Sequence, residues 1–187
     1  GLEPVKFSLS LTGDPTTAVE MALNLPATET QADAAGDSEY LEIEYFDNVG
    51  ISQSISITFT PTVPATGISN EWTMLMTDSA QGGAVIGDYT ITFDTTTGAG
   101  GTIASVADNN GGAYDPATGL FTVNVAGGPI EFDIGAAGTT GALSQLGDSF
   151  APISISKDGS SVGNMVSVEV DENGYVSALY DSGQSQV

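Results

Sequence analysis

The sequence ISQSISITFT at residues 51–60 alternates apolar and hydroxyl-bearing side chains over most of its length. In an extended chain successive side chains point to opposite faces, so Ile55, Ile57 and Phe59 share one face, together with Ile51. The serines and threonines lie on the other face. We therefore predict a half-buried β-strand here, with these four apolar residues turned toward a core.

The same period of two recurs along the chain. Further predicted core faces are Leu41/Ile43/Tyr45, Tyr89/Ile91/Phe93, Ile130/Phe132/Ile134, Phe7/Leu9/Leu11, Val19/Met21/Leu23/Leu25, Val166/Val168/Val170 and Val176/Ala178/Tyr180. Turn-forming stretches rich in Gly, Asn and Asp separate them, at 47–50, 94–101, 108–112, 115–119 and 171–174. No window carries the apolar spacing of an amphipathic helix. The sequence predicts an all-β protein made of two antiparallel sandwich or barrel-like domains.

Two polar breaks divide the predicted strands, at 26–37 and at 135–148. Strands between the breaks are rich in threonine, whereas serine replaces threonine after the second break. This shift predicts an outer domain, 35–145, inserted into an inner domain that consists of 1–34 plus 146–187. The strand at residues 19–25 is then expected to share a core with the last two predicted strands, because neither end alone supplies a stable sheet.

The composition is strongly acidic. Among 187 residues there are 24 acidic and two basic ones, with no histidine or cysteine, and the net charge is -22. So few cations cannot neutralise a phosphate backbone or an anionic lipid surface, which excludes nucleic acid and membrane as partners. Histidine is the usual general base near neutral pH, so the composition also argues against an enzyme. A hydrophobic fraction of 40% nevertheless indicates a folded chain.

Two short motifs resemble catalytic signatures. GSSVG at 159–163 matches the nucleophile elbow of hydrolases, but that motif needs a histidine and a strand-to-helix turn. SISK at 154–157 matches the Ser-x-x-Lys pair of penicillin-binding enzymes, which requires helical spacing, whereas Ile153 and Ile155 alternate as in a strand. We interpret the first as a loop and Lys157 as the first residue of a turn, and predict no catalytic residue.

Acidic clusters suggest metal binding only weakly. DENG at 171–174 begins like a calcium loop, yet its glycine is misplaced and a hairpin explains it. The stretch 108–115 offers oxygen ligands without a known register, so a weak calcium site there stays open. Glu42 and Glu44 lie two apart, which is typical of the wet side of a strand. No cofactor-binding or metal-binding residue is predicted.

Several stretches together resemble the bacterial flagellar hook protein. Near the end of the chain these are DG at 158–159, GNMVSVEVDENG at 163–174 and YVSALYDSGQ at 175–184. Upstream they are TAVEMALNLPA at 17–27, YFDNVG at 45–50, ISITFT at 55–60 and NEW at 70–72. They occur in the family's order, which makes the joint match more specific than any single stretch. Related rod and hook-cap proteins share parts of these patterns.

This resemblance implies a structural subunit, exported through the flagellar secretion channel, that self-assembles into the flexible hook outside the cell and transmits torque from motor to filament. Its partners would be copies of itself, with hook-cap and hook–filament junction proteins, and it would need no cofactor. Terminal helices build the inner tube in that family. The chain would then be the β-rich middle of a longer protein, and a monomer in isolation.

Two other functions stay open from the residues. The acidic loops and the net charge also suit a calcium-dependent adhesin or surface-layer β module. A carbohydrate-binding sandwich would use Trp72, Tyr89 and Tyr114 as a sugar platform. Trp72 alternates with Met74 and Met76, however, which favours a place in the core.

Overall fold

The computed structural model describes Lys6 and residues 10–172, 175–181, 183 and 185–186. Its strands are β1 (Ser10–Leu11), β2 (Ala18–Leu25), β3 (Glu39–Phe46), β4 (Ser52–Pro61), β5 (Glu71–Asp78), β6 (Ala84–Phe93), β7 (Ile103–Asn110), β8 (Leu120–Val125), β9 (Gly128–Asp133), β10 (Ser144–Gln145), β11 (Ala151–Lys157), β12 (Gly163–Val170), β13 (Val176–Tyr180) and β14 (Ser185–Gln186). Two 3₁₀ turns, at Ala27–Thr30 and Ser79–Gln81, are the helical elements of the described residues. The predicted all-β class is confirmed.

The first sheet is a five-stranded antiparallel meander in the order β3-β4-β5-β6-β7. Each strand pairs with the next along the chain, and the register places Ile57 opposite Met76 and Trp72 opposite Ile91. Short connections and period-two patterning produce this arrangement, because antiparallel neighbours need only a hairpin turn. The apolar face of each central strand therefore points the same way.

The second sheet is organised around β2. On one edge β2 pairs in parallel with β9 and β10, and on the other it pairs antiparallel with β11. β8 extends the sheet through its hairpin with β9. Parallel pairing is possible here because long stretches of chain separate the partners, so no tight turn fixes their direction.

The two sheets enclose one apolar core. Its members include residues from β2 through β9, and Trp72, Tyr89, Phe59 and Phe132 are fully buried in it. Phe121 stacks with Phe132 at 5.6 Å between ring centroids. The predicted core faces at 19–25, 89–93 and 130–134 are confirmed.

One predicted core face is wrong at a single residue, and another is wrong throughout. Ile51 is 56% exposed, because its backbone N–H donates to the Asp47 carboxylate and closes the β3–β4 turn beyond the end of the sandwich. Val166, Val168 and Val170 are also exposed. They lie on β12 in a separate sheet, β1-β12-β13-β14, hereafter the terminal sheet, on which no second sheet of the described residues packs.

Some predicted elements lie outside the described residues. Phe7 and Leu9 of the first predicted strand do so, as do Asn173 and Gly174 of the last predicted turn. The strands that flank that turn pair as a hairpin, with Val170 opposite Val176. Among described residues, no helix has the length and hydropathy to cross a bilayer.

A buried polar contact fixes the short strand β10. The indole N–H of Trp72 donates to Gln145 Oε1 at 2.8 Å, and the Gln145 amide donates to Asn70 Oδ1 at 3.0 Å. Gln145 is buried, and its backbone N–H donates to the carbonyl of Gly101. This chain satisfies the one polar atom of the tryptophan, which allows the ring to stay in the core.

The division into an inner domain of 1–34 plus 146–187 and an outer domain of 35–145 concerns independent folding and stays a prediction. The pairing does locate the contact between these parts. β2 pairs with β9, and its buried side chains join the core of β3 to β9. Ala178 and Tyr180 of β13 are buried outside that cluster. The core expected between β2 and the last two long strands is thus replaced by one shared with the outer strands.

Replacement of Ile57 and of Ile51 by alanine compares a buried residue of β4 with an exposed residue of the turn that precedes it. We expect Ile57→Ala to lower the free energy of unfolding by about 2–5 kcal/mol, since it leaves a cavity in a dry core. Ile51→Ala should change it by no more than about 0.5 kcal/mol. Denaturant unfolding measures both, and equal losses would contradict the placement of Ile51.

Candidate functional site

The segments that enter β2 and leave β11, residues 14–18 and 157–160, meet in a polar clasp at one end of the sandwich. Its centre is the Asp158 carboxylate, whose Oδ1 accepts hydrogen bonds from the backbone N–H of Thr17 at 2.7 Å and of Ala18 at 2.9 Å. The Thr17 hydroxyl donates to Oδ2 at 2.5 Å. Three donors on one carboxylate anchor the entry to β2 on the exit of β11.

Backbone pairing extends the clasp on both sides. The Ser160 N–H donates to the carbonyl of Asp14 at 2.8 Å, and the Ser160 hydroxyl accepts from the Asp14 N–H at 3.2 Å. Thr16 reaches the first sheet, since its N–H donates to the Phe46 carbonyl and its hydroxyl accepts from the Phe46 N–H. The clasp therefore joins three segments that are distant in sequence.

Glycine is required at two positions of the clasp. Gly159 has φ +85°, and a Cβ there would lie 2.7 Å from the Thr16 hydroxyl and 2.9 Å from its backbone nitrogen. A Cβ on Gly13 would lie 2.5 Å from the carbonyl oxygen of Ser160. Both contacts are too close for real side chains, so the two strands approach as they do only because neither glycine has a side chain.

Lys157 adds a charged contact between the two sheets. Its ammonium lies 3.2 Å from Glu44 Oε2 and 4.4 Å from the centroid of the Phe46 ring. Hydrogen bonds from Ser52 and from Lys157 lower the pKa of Glu44. Lys157 is the last residue of β11, so the turn begins one residue later than predicted.

A second carboxylate, that of Asp78, is buried at the last residue of β5. Burial raises the pKa of Asp78, but four donors outweigh this and hold it below its usual value. They are the Tyr45 hydroxyl at 2.8 Å, the backbone N–H groups of Ala126 and Ala80 at 2.9 and 3.0 Å, and the Gln81 amide at 3.0 Å. This carboxylate ties β3 and β5 to the β8–β9 turn.

A cleft of about 390 Å³ opens between the clasp and this turn. Its walls are 15–17, 45–48 and 127–129, and the Asn48 amide donates across it to the Gly127 carbonyl at 2.7 Å. Its lining includes the carboxylates of Asp47 and Glu131 without a basic residue.

The structure places one apparent catalytic motif mostly in a loop and the other on a strand. GSSVG at 159–163 covers part of the loop between β11 and β12 and the first residue of β12, and its Ser160 pairs with Asp14. Ser154 and Lys157 lie on β11, opposite Ala22 and Val19. Because they are three apart on a strand, their side chains point to opposite faces.

The acidic and aromatic candidates are also dispersed. Asp108 belongs to β7, whereas Asp115 caps a turn by accepting the Ala117 N–H. Within the described residues, no group of three or more acidic side chains could hold a metal ion. Tyr89 and Tyr114 are buried, which raises the pKa of each to about 12, so neither belongs to an open sugar platform.

The clasp is a structural connection between segments that are distant in sequence. The clasp links two sheets through directional hydrogen bonds that cost little to form, because the backbone donors are already held by β2. The residues that build it were missed as a site by sequence reasoning. The Asp158-Gly159 pair was a visible turn signal, but its partners lie about 140 positions away, with Thr17 141 residues from Asp158.

Substitution of Asp158 tests the clasp. Partial burial raises the pKa of Asp158, but the donors on Thr17 and Ala18 outweigh it and lower the pKa overall. Its stabilisation is therefore complete above the pKa of the unfolded chain and is lost as the pH falls through the folded value. We expect Asp158→Asn to cost about 1–2 kcal/mol at neutral pH and progressively less in acid.

Denaturant unfolding over a pH series measures this difference. Asp37→Asn is the matched control, because Asp37 is exposed and outside the clasp. A cost for Asp158→Asn that stays constant into strong acid would contradict the role of the carboxylate.

Alanine at Gly159 tests the close approach of the strands. Gly82 has a similar φ of +68° with open space around it, so Gly82→Ala should cost only about 1 kcal/mol of backbone strain. Gly159→Ala should cost a further 1–3 kcal/mol, roughly, because it displaces Thr16 from its partners. Thermal unfolding measures both, and equal losses would show that the contact relaxes freely.

Three similarities to known proteins bear on the family of this chain. The sequence model of a family described as flagellar basal body protein FlaE D2 domain matches residues 14–160. The flagellar hook protein FlgE of Caulobacter vibrioides is 38% identical over 53 residues, which are 28% of this chain and 9% of that protein. The solved flagellar hook protein FlgE2 of Helicobacter pylori superposes with a TM-score of 0.48 at 15% identity, over 80% of this chain and 31% of that one. The chain thus spans less than a third of either relative.

Proposed function

The chain belongs to the family of the flagellar basal body protein FlaE D2 domain, and we propose that it acts as a structural subunit of the bacterial flagellar hook. The observation that carries this proposal is the family match over residues 14–160. The relative from Caulobacter vibrioides, which is named a flagellar hook protein, supports the same assignment. The comparisons give no support to the adhesin or surface-layer alternative.

In this role the sandwich would be a stiff block between neighbouring copies of the chain. Its core is continuous from β2 to β9, and the clasp and Asp78 add polar connections between its segments. A net charge of -22 opposes permanent apolar contacts between copies. Polar, wet contacts suit a joint that bends during rotation, because they can slide without large changes in free energy.

The matched segment also bears on domain organisation. Its first and last residues, Asp14 and Ser160, form a bridge with each other, so the segment closes on itself at the clasp. We propose that 14–160 folds as one unit and that the terminal sheet is a second unit attached through it. This moves the boundary outward from the one predicted at 34/35 and 145/146.

The remaining parts of the proposal follow from the role. The chain would carry no enzymatic activity and need no cofactor. It would polymerise with copies of itself and meet hook-cap and hook–filament junction proteins, after export through the flagellar secretion channel to the outside of the cell. The family supports the place in the flagellum, and the specific partners and the export route are proposals.

Immunogold electron microscopy tests the assignment. Antibodies raised against the chain, applied to flagellated cells of the organism that encodes it, should label the short segment between motor and filament. Label spread over the cell body would favour a surface-layer or adhesive role and would overturn the proposal. Preimmune serum on the same cells is the control.

The isolated chain should sediment as a monomer at neutral pH. Mutual repulsion of charge -22 opposes association, and polar contacts that bury less than about 1,200 Å² do not hold at micromolar concentration without a scaffold. Analytical ultracentrifugation with and without calcium measures the state. Ordered oligomers in either condition would contradict the expected weakness of these contacts.

A further inference from the structure

Asn110 ends the edge strand β7 and is followed by Gly111. Asn110 is exposed and is the cross-strand partner of Asp88. Gly111 lies just beyond the strand, is exposed and has φ +118°. A Cβ on Gly111 would collide with the Tyr89 hydroxyl, so the fold itself requires glycine after this asparagine.

The Asn110 carboxamide is free to react. It makes no hydrogen bond within the described residues, whereas the amide of its neighbour Asn109 donates to Asp88 Oδ1 at 3.2 Å and to Thr90 Oγ1 at 3.1 Å. The backbone N–H of Gly111 also has no backbone acceptor in the described part of the chain, although that of Gly112 donates to Thr122. Nucleophile and electrophile are therefore adjacent and both unprotected.

We propose that Asn110-Gly111 is a site of spontaneous, non-enzymatic modification, at which the asparagine converts to aspartate and isoaspartate. The deprotonated backbone nitrogen of Gly111 attacks Cγ of Asn110, a C–N bond forms, and the side-chain nitrogen leaves as ammonia. Water then opens the resulting five-membered imide at either carbonyl. Attack at one gives aspartate and attack at the other gives isoaspartate, so one water is consumed for each ammonia released.

The two products have different consequences for the fold. Aspartate adds a negative charge opposite Asp88, which like-charge repulsion disfavours. Isoaspartate also inserts a methylene into the backbone directly before Gly111. The Tyr89 hydroxyl donates to the Gly112 carbonyl at 3.0 Å, and a longer backbone before this point would displace that acceptor. Modification should therefore loosen the edge of the first sheet, whether or not the chain builds a hook.

Mass spectrometry of the folded chain tests the proposal. The intact chain is incubated in mildly alkaline buffer and digested, and aspartate and isoaspartate are quantified at each asparagine. We expect conversion at Asn110 to be on the order of ten times faster than at Asn109 and Asn124, which precede bulkier residues. Faster conversion at Asn109 or Asn124 would overturn the proposal.

Two controls distinguish the effect of the fold on the reaction rate from the intrinsic reactivity of the Asn-Gly dipeptide. In urea-unfolded chain, Asn110 reacts at its intrinsic rate, and we expect the folded rate to lie within about tenfold of it, because the site needs no large opening. A folded rate slower by more than about a hundredfold would mean that the fold protects the site and would overturn the proposal. Asn110→Gln should abolish the product at 110 and leave the melting curve unchanged, since no described hydrogen bond is lost.

Discussion

The sandwich depends on β2. This strand pairs within the second sheet, and its buried side chains pack in the core against the first sheet. Val19, Met21, Leu23 and Leu25 are at most 2% exposed. The backbone of β2 is occupied on both edges, by β9 and β10 on one and by β11 on the other. Removal of β2 would open a central gap in the second sheet and expose the apolar faces of the first. The apolar face of the sheet formed by β3 to β7 is therefore not fully covered without β2.

This dependence explains why the clasp has to be polar. Once β2 is committed to the core, the segments that enter and leave it emerge at an open end of the sandwich, where water competes for any contact. Asp158 anchors them by accepting backbone N–H groups, which the strand already holds in place. Gly13 and Gly159 permit the close approach that such short bonds need. The strands of the terminal sheet contribute no described residue to the apolar core that β2 completes.

Local patterning predicted the strands well, whereas tertiary contacts decided which of their apolar faces are covered and which strands pair. Alternation correctly identified the buried faces at 19–25 and 130–134, because those strands have a wet side and a dry side. The valines of β12 carry the same alternation and are exposed, since alternation records which side chains could be buried and not whether a partner covers them. The parallel pairing of β2 with β9 and the Thr17–Asp158 contact were unpredictable for a related reason: each joins residues more than 100 positions apart, with no local signal.

The shortage of cations explains how the carboxylates are held. With two lysines for 24 acidic residues, ion pairs cannot neutralise the chain. Hydrogen-bond donors serve instead: the backbone N–H groups of Ile51 and Val49 bind Asp47, and the hydroxyl and N–H of Thr96 bind Asp94. These bonds lower the pKa of both aspartates, as the donors on Asp158 and Asp78 do for theirs. Amide donors stabilise the charged form without removing the charge. The same aspartate carboxylates thus fix the turns and keep the surface anionic. They contribute both to the order of the turns and to the charge that opposes association.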